Sequence, residues 1–121
     1  MTIVLDHTIV RARDKGRSAR FFADLLGLDV GEPSGPFAPV RVNDDLTLAF
    51  DDRHEFQVGH YAFAVDDATF DAALALCEGS TVDFGSAPGL SDRAIGHRAD
   101  KRVVYIRDSD GNSYELLTAV R

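Results

Sequence analysis

The 121-residue sequence has one cysteine, no tryptophan and no long uninterrupted run of apolar residues. A lone cysteine cannot close an intramolecular disulfide, and Cys77 falls on the apolar face of a predicted helix, where a small thiol packs. A transmembrane helix needs about 20 apolar residues, and the N-terminus has no signal-peptide pattern. These absences predict a cytoplasmic protein without disulfides or a membrane anchor.

Basic residues are also few in comparison with acidic ones. The chain has 13 Lys and Arg against 20 Asp and Glu, a formal net charge of −7, which repels phosphate backbones and anionic lipids. The sequence also lacks a P-loop, a glycine-rich dinucleotide fingerprint, paired zinc-binding cysteines and a nucleophile elbow. We therefore expect neither nucleic acid nor membrane as a partner, and predict a small-molecule substrate or ligand.

The hydrophobic periodicity predicts the same order of elements twice. The first series has a strand at 3–10, a helix at 14–26 and short strands near 28–31, 37–42 and 46–51. The second has a strand at 59–65, a helix at 67–77 and strands at 81–84, 102–107 and 113–118, with a long loop between Phe84 and Lys101. The chain is long enough for one domain. We predict an α+β fold of two tandem β-α-β-β-β modules, about 1–53 and 57–121, that form a curved mixed-sheet cup.

The duplication places metal-ligand residue types at matching positions. An offset of 53 residues superimposes His7 on His60, and Glu115 lies on the final predicted strand. A sheet that curls into a cup can bring the three side chains together, and two imidazoles with one carboxylate suit Fe(II), Mn(II) or Zn(II). The sequence thus predicts a metal site at His7, His60 and Glu115, with ordinary core or surface roles as the alternative.

The first module lacks a residue equivalent to Glu115. Glu115 follows the turn residue Gly111 by four positions, and the same step from Asp45 in the first module reaches Ala49. Three protein ligands leave coordination positions for substrate or dioxygen, as catalytic sites require and structural sites avoid. The pattern therefore favours an open site.

The duplicated order and three sequence segments resemble the vicinal oxygen chelate superfamily over essentially the whole chain. These segments are 5–10, which contains His7, 60–63, which begins with His60, and 108–115, which ends with Glu115. The superfamily includes glyoxalase I, extradiol ring-cleaving dioxygenases, thiol transferases that inactivate fosfomycin, and metal-free proteins that sequester bleomycin. The resemblance implies the glyoxalase/bleomycin resistance/dioxygenase fold and a metal at these three residues, with Fe(II) favoured.

The C-terminal run is similar to the extradiol dioxygenase signature. Gly96-His97 is followed after six residues by Val104-Tyr105 and then by the turn 108–111 and Glu115, with Ser109 where the signature has proline. The resemblance implies that Tyr105 and His97 line the substrate and oxygen pocket and assist proton transfer. It also implies a catechol-like substrate that chelates the metal through two oxygens. Such enzymes have a further acid–base histidine. His54 is a candidate for it, but the sequence does not predict where His54 lies.

Three alternative functions remain open at this stage. A bleomycin-type binding cup between two protomers suits the acidic charge, which attracts a cationic ligand. A fosfomycin-type transferase shares the three metal positions and a tyrosine matching Tyr105, but has threonine where Ile9 stands. A glyoxalase-like lyase needs a fourth ligand at Ala49. Half-sized modules usually need their open sheet edges covered, so we also predict a homodimer.

Overall fold

The computed structural model describes residues 1–119, which fall into two compact units, Met1–Gln57 and Val58 onward. Each unit has one mixed β-sheet and one helix, which follows the first strand as in the predicted β-α-β-β-β order. Two strands follow the helix in the first unit and four follow it in the second. The last two residues of the predicted second module, 57–121, lie outside the described residues. In the described part of the chain, no helix is long and apolar enough to cross a membrane.

The first unit is a three-stranded sheet with one helix. Its elements are β1 His7–Arg11, α1 Lys15–Leu26, β2 Ala38–Arg41 and β3 Thr47–Asp51. The strand order is β1-β3-β2, with β1 parallel and β2 antiparallel to β3. The strand predicted at 28–31 is reduced to a single antiparallel bridge between Val30 and Val40.

Both ends of α1 follow from local sequence. The Asp14 side chain accepts a hydrogen bond from the Arg17 backbone N–H at 3.1 Å, which satisfies one of the free donors of the first turn. Gly27 adopts the left-handed conformation, φ 67°, that ends a helix at no steric cost. Between these caps, Phe22 is fully buried and its ring centroid lies 6.0 Å from that of Phe50 on β3. Burial of one such side chain contributes about 1.5–3 kcal/mol, which holds the helix on the sheet.

Asp51, the last residue of β3, carries a strongly acidic carboxyl group. The Arg53 side chain donates to Asp51 Oδ1 at 2.9 Å, and this hydrogen bond is the main reason that the pKa of Asp51 falls from 3.8 to about 2. A pKa that is lowered by folding stabilises the native state above the unfolded pKa, and this stabilisation disappears as the pH falls to the folded value.

We therefore expect the thermal stability of the protein to fall between about pH 4 and pH 2 in part through Asp51. Arg53→Gln removes the main cause of the shift, so its melting temperature should fall less steeply over this interval. Circular dichroism melts at several pH values measure the difference, with Arg20→Gln, an exposed arginine of α1, as the control. Parallel pH profiles for wild type and Arg53→Gln would show that Arg53 does not lower the pKa of Asp51.

The second unit contains five strands, two of them only three residues long, and one helix. Its elements are β4 His60–Val65, α2 Asp67–Glu78, β5 Asp83–Gly85, β6 Gly96–Arg98, β7 Lys101–Arg107 and β8 Ser113–Thr118. The strand order is β4-β8-β7-β5, and β6 pairs with β7. β4 runs parallel to β8, and the other pairs are antiparallel. β6 corrects the prediction of an uninterrupted loop before β7, because a three-residue strand is too short to show a period.

The helix α2 buries Phe70, Ala73 and Cys77. Burial raises the pKa of the Cys77 thiol to about 11, so the group remains protonated and poorly nucleophilic at neutral pH. The cysteine therefore acts as a small apolar residue, as the sequence pattern predicts.

The loop between β5 and β6 is held in place by Arg93. Its guanidinium donates to the carbonyl oxygens of Cys77, Ser80 and Val82, and it stacks on the Phe84 ring with its Cζ 4.7 Å from the centroid. These contacts satisfy free carbonyl groups at and after the end of α2. Arg93 thus holds the loop against the end of α2 and the segment that leads into β5.

Candidate active site

The parallel ladder between β4 and β8 brings two predicted metal ligands together. His60 pairs with Ser113 and Ala62 pairs with Glu115, so His60 and Glu115 lie on one face of the sheet. His60 Nε2 is 3.0 Å from Glu115 Oε1. The Glu115 side chain is 8% exposed and that of His60 48%. A buried carboxylate thus meets an imidazole that is open to solvent.

The turn before β8 sets the register of this ladder. Asp108 Oδ1 accepts hydrogen bonds from the backbone N–H groups of Asp110, Gly111 and Asn112. Asn112 is fully buried, and its Oδ1 accepts from the backbone N–H of Gly59 at 2.8 Å. Because Gly59 precedes β4 and Asn112 precedes β8, this bond aligns the starts of the two strands. The side chains that follow, including His60 and Glu115, are placed by it.

The His60–Glu115 pair fits a divalent metal. Two ligands at about 2.1 Å from a cation and at right angles to each other are about 3.0 Å apart, which equals the separation of Nε2 and Oε1. Imidazole nitrogen and carboxylate oxygen are also the donor atoms that Fe(II), Mn(II) and Zn(II) share. The donor atoms of the pair therefore suit such an ion. Their spacing, which is that of a hydrogen bond, is also compatible with octahedral coordination.

Tyr105 lies on the same face, directly beside the pair. It is the antiparallel partner of Glu115 in the β7–β8 ladder and is 5% exposed. Its ring centroid is 6.1 Å from that of His60. The structure thus brings together three of the residues that the sequence singled out: His60, Tyr105 and Glu115.

A fourth residue on this face, Arg98, was missed by the sequence reasoning. Arg98 Nη2 is 3.3 Å from Glu115 Oε2 and 3.4 Å from Tyr105 Oη. A two-residue turn at Ala99 and Asp100 makes Arg98 the partner of Lys101, and strand alternation then puts Arg98 on the Tyr105 face. The turn is the only sequence signal for this hairpin, and the sequence analysis predicts a loop for the whole segment.

His97 lies on the opposite face of the β6–β7 hairpin. Its ladder partner is Arg102, whose guanidinium binds Asp67 and Asp71 of α2 at 3.0 and 2.7 Å. Because paired residues of an antiparallel ladder point to the same side, His97 shares the helix side of the sheet. The structure does not bring His97 to the face of Glu115, where Arg98 stands instead.

In the first unit, His7 occupies the position that corresponds to His60. His7 pairs with Thr47 and Ile9 pairs with Ala49 in a parallel ladder, which repeats the pattern of β4 and β8. Ala49 is therefore the counterpart of Glu115 by register as well as by its distance from the preceding turn. His7 Nδ1 is hydrogen-bonded to Asp6 Oδ2 at 2.8 Å, which leaves Nε2 as the nitrogen for another ligand.

A cavity of about 270 Å³ adjoins His7. The apolar part of its wall is formed by Ile9, Phe37, Pro39 and Ala49, and the polar part by His7, Asp6, Ser34 and Thr47. His54, also in this unit, is exposed, with Nε2 3.8 Å from Asp51 Oδ2. Among residues 1–119, no three His, Cys, Asp or Glu side chains gather into a group that holds a metal. The predicted ligands that the structure brings together are His60 and Glu115.

Comparison with known proteins gives two structures of high similarity. The protein "Oxidase ChaP-H1" is 39% identical with a TM-score of 0.89, covering 98% of this chain and 98% of its own. "Oxidase ChaP-H2" is 37% identical with a TM-score of 0.89, covering 99% of this chain and 96% of its own. No family model matches the sequence, and no curated protein matches it.

More distant structures share the fold alone. A glyoxalase/bleomycin resistance protein from Albidiferax ferrireducens T118 is 20% identical with a TM-score of 0.73, covering 96% of this chain and 98% of its own. Fosfomycin resistance protein FosX from Mesorhizobium loti is 22% identical with a TM-score of 0.70, covering 99% of this chain and 95% of its own. At this level of identity the comparison carries no information about the reaction.

Proposed function

The chain belongs to the vicinal oxygen chelate superfamily, which has the glyoxalase/bleomycin resistance fold, and we propose that it is a metal-dependent oxidase acting through His60 and Glu115. Two relatives that are 37% and 39% identical over nearly the full chain are named oxidases. Within this class we propose a dioxygenase-like reaction, in which oxygen is inserted into a catechol-like or other bidentate oxygen substrate.

The observation that carries the proposal is the 3.0 Å contact between His60 Nε2 and Glu115 Oε1. A buried carboxylate that faces a half-exposed imidazole gives a cation two strong ligands and leaves access from solvent. We propose His7 as the third ligand on the strength of the family resemblance, with Nε2 as the ligating atom. Fe(II) is the favoured metal, with Mn(II) and Zn(II) as alternatives.

Each residue near the pair has a role in this proposal. Bound Fe(II) would supply Lewis acidity and redox chemistry toward dioxygen, with positions left for two substrate oxygens. Glu115 and His60 would hold the cation, and the Tyr105 hydroxyl would hold or donate a proton at a substrate oxygen. The overall reaction adds both atoms of dioxygen across a carbon–carbon bond that breaks, so no external reductant is needed.

Ala49 supports this reaction over that of glyoxalase I. The glyoxalase site implied by the resemblance uses a fourth protein ligand at this position, whereas the Ala49 methyl group cannot bind a metal. A site with fewer protein ligands keeps positions for a chelating substrate and dioxygen.

The proposal is tested by oxygen uptake with a panel of catechols, using ¹⁸O₂ and mass spectrometry of the products. We expect uptake that depends on the diol, and products that contain two ¹⁸O atoms. His7→Ala should lose metal and activity, whereas His54→Ala, an exposed histidine of the same unit, should retain both. No uptake with any diol, or equal behaviour of the two histidine variants, would contradict the proposal.

The homodimer stays a prediction from the sequence. β1 and β4 each form one edge of the sheet in their own unit, and unpaired strand edges are usually covered in native proteins. Size-exclusion chromatography with light scattering should give twice the chain mass of 13.2 kDa. A mass equal to that of one chain would contradict the prediction.

A further inference from the structure

We propose that Arg98 binds an anionic oxygen of the substrate and makes this site selective for diols that carry an adjacent ionised group, such as a carboxylate. The inference rests on the proposed function, because it takes the face of His60 and Glu115 as the place where substrate binds. It adds the substrate's charge and the residue that recognises it.

The contacts of Arg98 use only a small part of its hydrogen-bonding capacity. Nη2 makes both contacts, to Glu115 Oε2 at 3.3 Å and to Tyr105 Oη at 3.4 Å. Within residues 1–119, Nε and Nη1 have no hydrogen-bond partner, and the side chain is 60% exposed. A guanidinium carries five N–H donors in a rigid fork that matches a carboxylate. Most of these donors thus remain available above the sheet face.

A purely structural role explains the arrangement less well. An ion pair between an exposed arginine and a carboxylate at a distance of 3.3 Å adds little to stability, because water screens it and the long side chain loses rotamer freedom. Glu115 is already hydrogen-bonded to His60 through its other oxygen. Arg98 is therefore not needed to hold the carboxylate, and its replacement should leave the fold intact.

The charge of the whole protein makes a local cation necessary for an anionic substrate. The formal net charge of −7 gives a field that repels anions. At physiological ionic strength this field is screened beyond about 8 Å, so the charges nearest the site decide the outcome. Arg98, which contacts both Glu115 and Tyr105, places a positive charge directly at this site.

The position of Arg98 also predicts where the anionic group lies on the substrate. His60 contacts one oxygen of the Glu115 carboxylate and Arg98 contacts the other, so imidazole and guanidinium are separated by the breadth of a single carboxylate. A diol that binds beside His60 and Glu115 therefore lies next to the Arg98 guanidinium. We expect its anionic group close to the diol, on the adjacent ring carbon, rather than at the far side of the ring.

Calorimetry with a matched pair of probes tests the proposal without using turnover. Binding of 2,3-dihydroxybenzoate and of catechol is measured for wild type, Arg98→Gln, Arg98→Lys and Lys101→Gln, with bound metal determined in each preparation. We expect Arg98→Gln to lower the preference for the acid over catechol by about tenfold or more, the usual loss for a charge-assisted hydrogen bond. Arg98→Lys should keep part of the preference, because the charge remains without the fork. Lys101→Gln should keep most of it.

Several results would overturn the role of Arg98. These are a preference that is unchanged in Arg98→Gln, an equal loss in Lys101→Gln, parallel weakening of both probes, and the absence of selective binding to wild type. Parallel weakening would mean that Arg98 only positions Glu115. Selective binding that depends on Arg98 in a protein without metal or oxygen uptake would retain the anion site and remove the proposed oxidase function. Oxygen uptake together with an unchanged preference in Arg98→Gln would retain the proposed oxidase function and remove the anion site.

Discussion

Replacement of Glu115 by alanine is expected to lower the affinity for Fe(II) by more than about a hundredfold and to abolish oxygen uptake. Loss of a residue that merely supports a metal ligand costs 10–100-fold in affinity, so the loss of a ligand should cost at least the upper part of that range. The carboxylate is also buried, with 8% of its side chain exposed, so solvent does not easily supply a replacement. Metal retained after anaerobic dialysis, measured by mass spectrometry, gives the result.

Glu78→Gln is the matched control for Glu115→Ala. Glu78 is an exposed carboxylate at the end of α2 in the same unit, and its removal should change neither metal content nor oxygen uptake. Far-ultraviolet circular dichroism shows whether both variants are folded. If folded Glu115→Ala retained metal at the wild-type level, Glu115 would not be a ligand.

Replacement of Tyr105 by phenylalanine is expected to reduce kcat by about a hundredfold while the bound metal stays constant. Positioned proton donors and acceptors contribute roughly 10²–10⁴-fold to rates, and the substitution deletes only the hydroxyl. The ring, which is 5% exposed and packs 6.1 Å from that of His60, is kept. Steady-state oxygen uptake separates an effect on kcat from one on KM.

Tyr61→Phe provides the corresponding control in the same unit. Tyr61 follows His60 on β4, so its side chain points to the other side of the sheet, where it stacks on Tyr114 with a centroid distance of 5.9 Å. The kcat of the Tyr61→Phe variant should stay within about threefold of the wild-type value. Equal rates for wild type and Tyr105→Phe would remove Tyr105 from the chemistry, and loss of metal in that variant would assign it to holding the site instead.

The sequence predicts those parts of the fold that have a local physical cause. The helix α1 begins and ends where Asp14 and Gly27 provide caps, and the turn at 108–111 forms because Asp108 satisfies three successive N–H groups. The match of Ala49 to Glu115 is reproduced by the ladder registers. In each case a few neighbouring residues determine the outcome.

Features that depend on strand pairing were harder to predict. β6 has only three residues, too few for an alternation to be visible, and its pairing with β7 decides whether residue 97 or 98 faces Glu115. A shift of one residue exchanges the faces of a strand. The resemblance to the extradiol dioxygenase signature implied His97, whereas the observed register places Arg98 on the face of Glu115. The strand predicted at 28–31 is reduced to one bridge. It was predicted in error because no periodic pattern distinguishes a strand of that length from an extended loop.

The central claim, that oxygen chemistry depends on a metal held at His60 and Glu115, is tested most directly by titration of metal-free protein with Fe(II) under anaerobic conditions. Portions are taken at each step and mixed with the diol that gives the fastest oxygen uptake. The proposal predicts no uptake without iron, a linear rise with added iron and a plateau at one iron per chain, which the Glu115→Ala variant does not show. Uptake by the metal-free protein at the same rate, or iron binding that leaves Glu115→Ala and wild type indistinguishable, would contradict the claim.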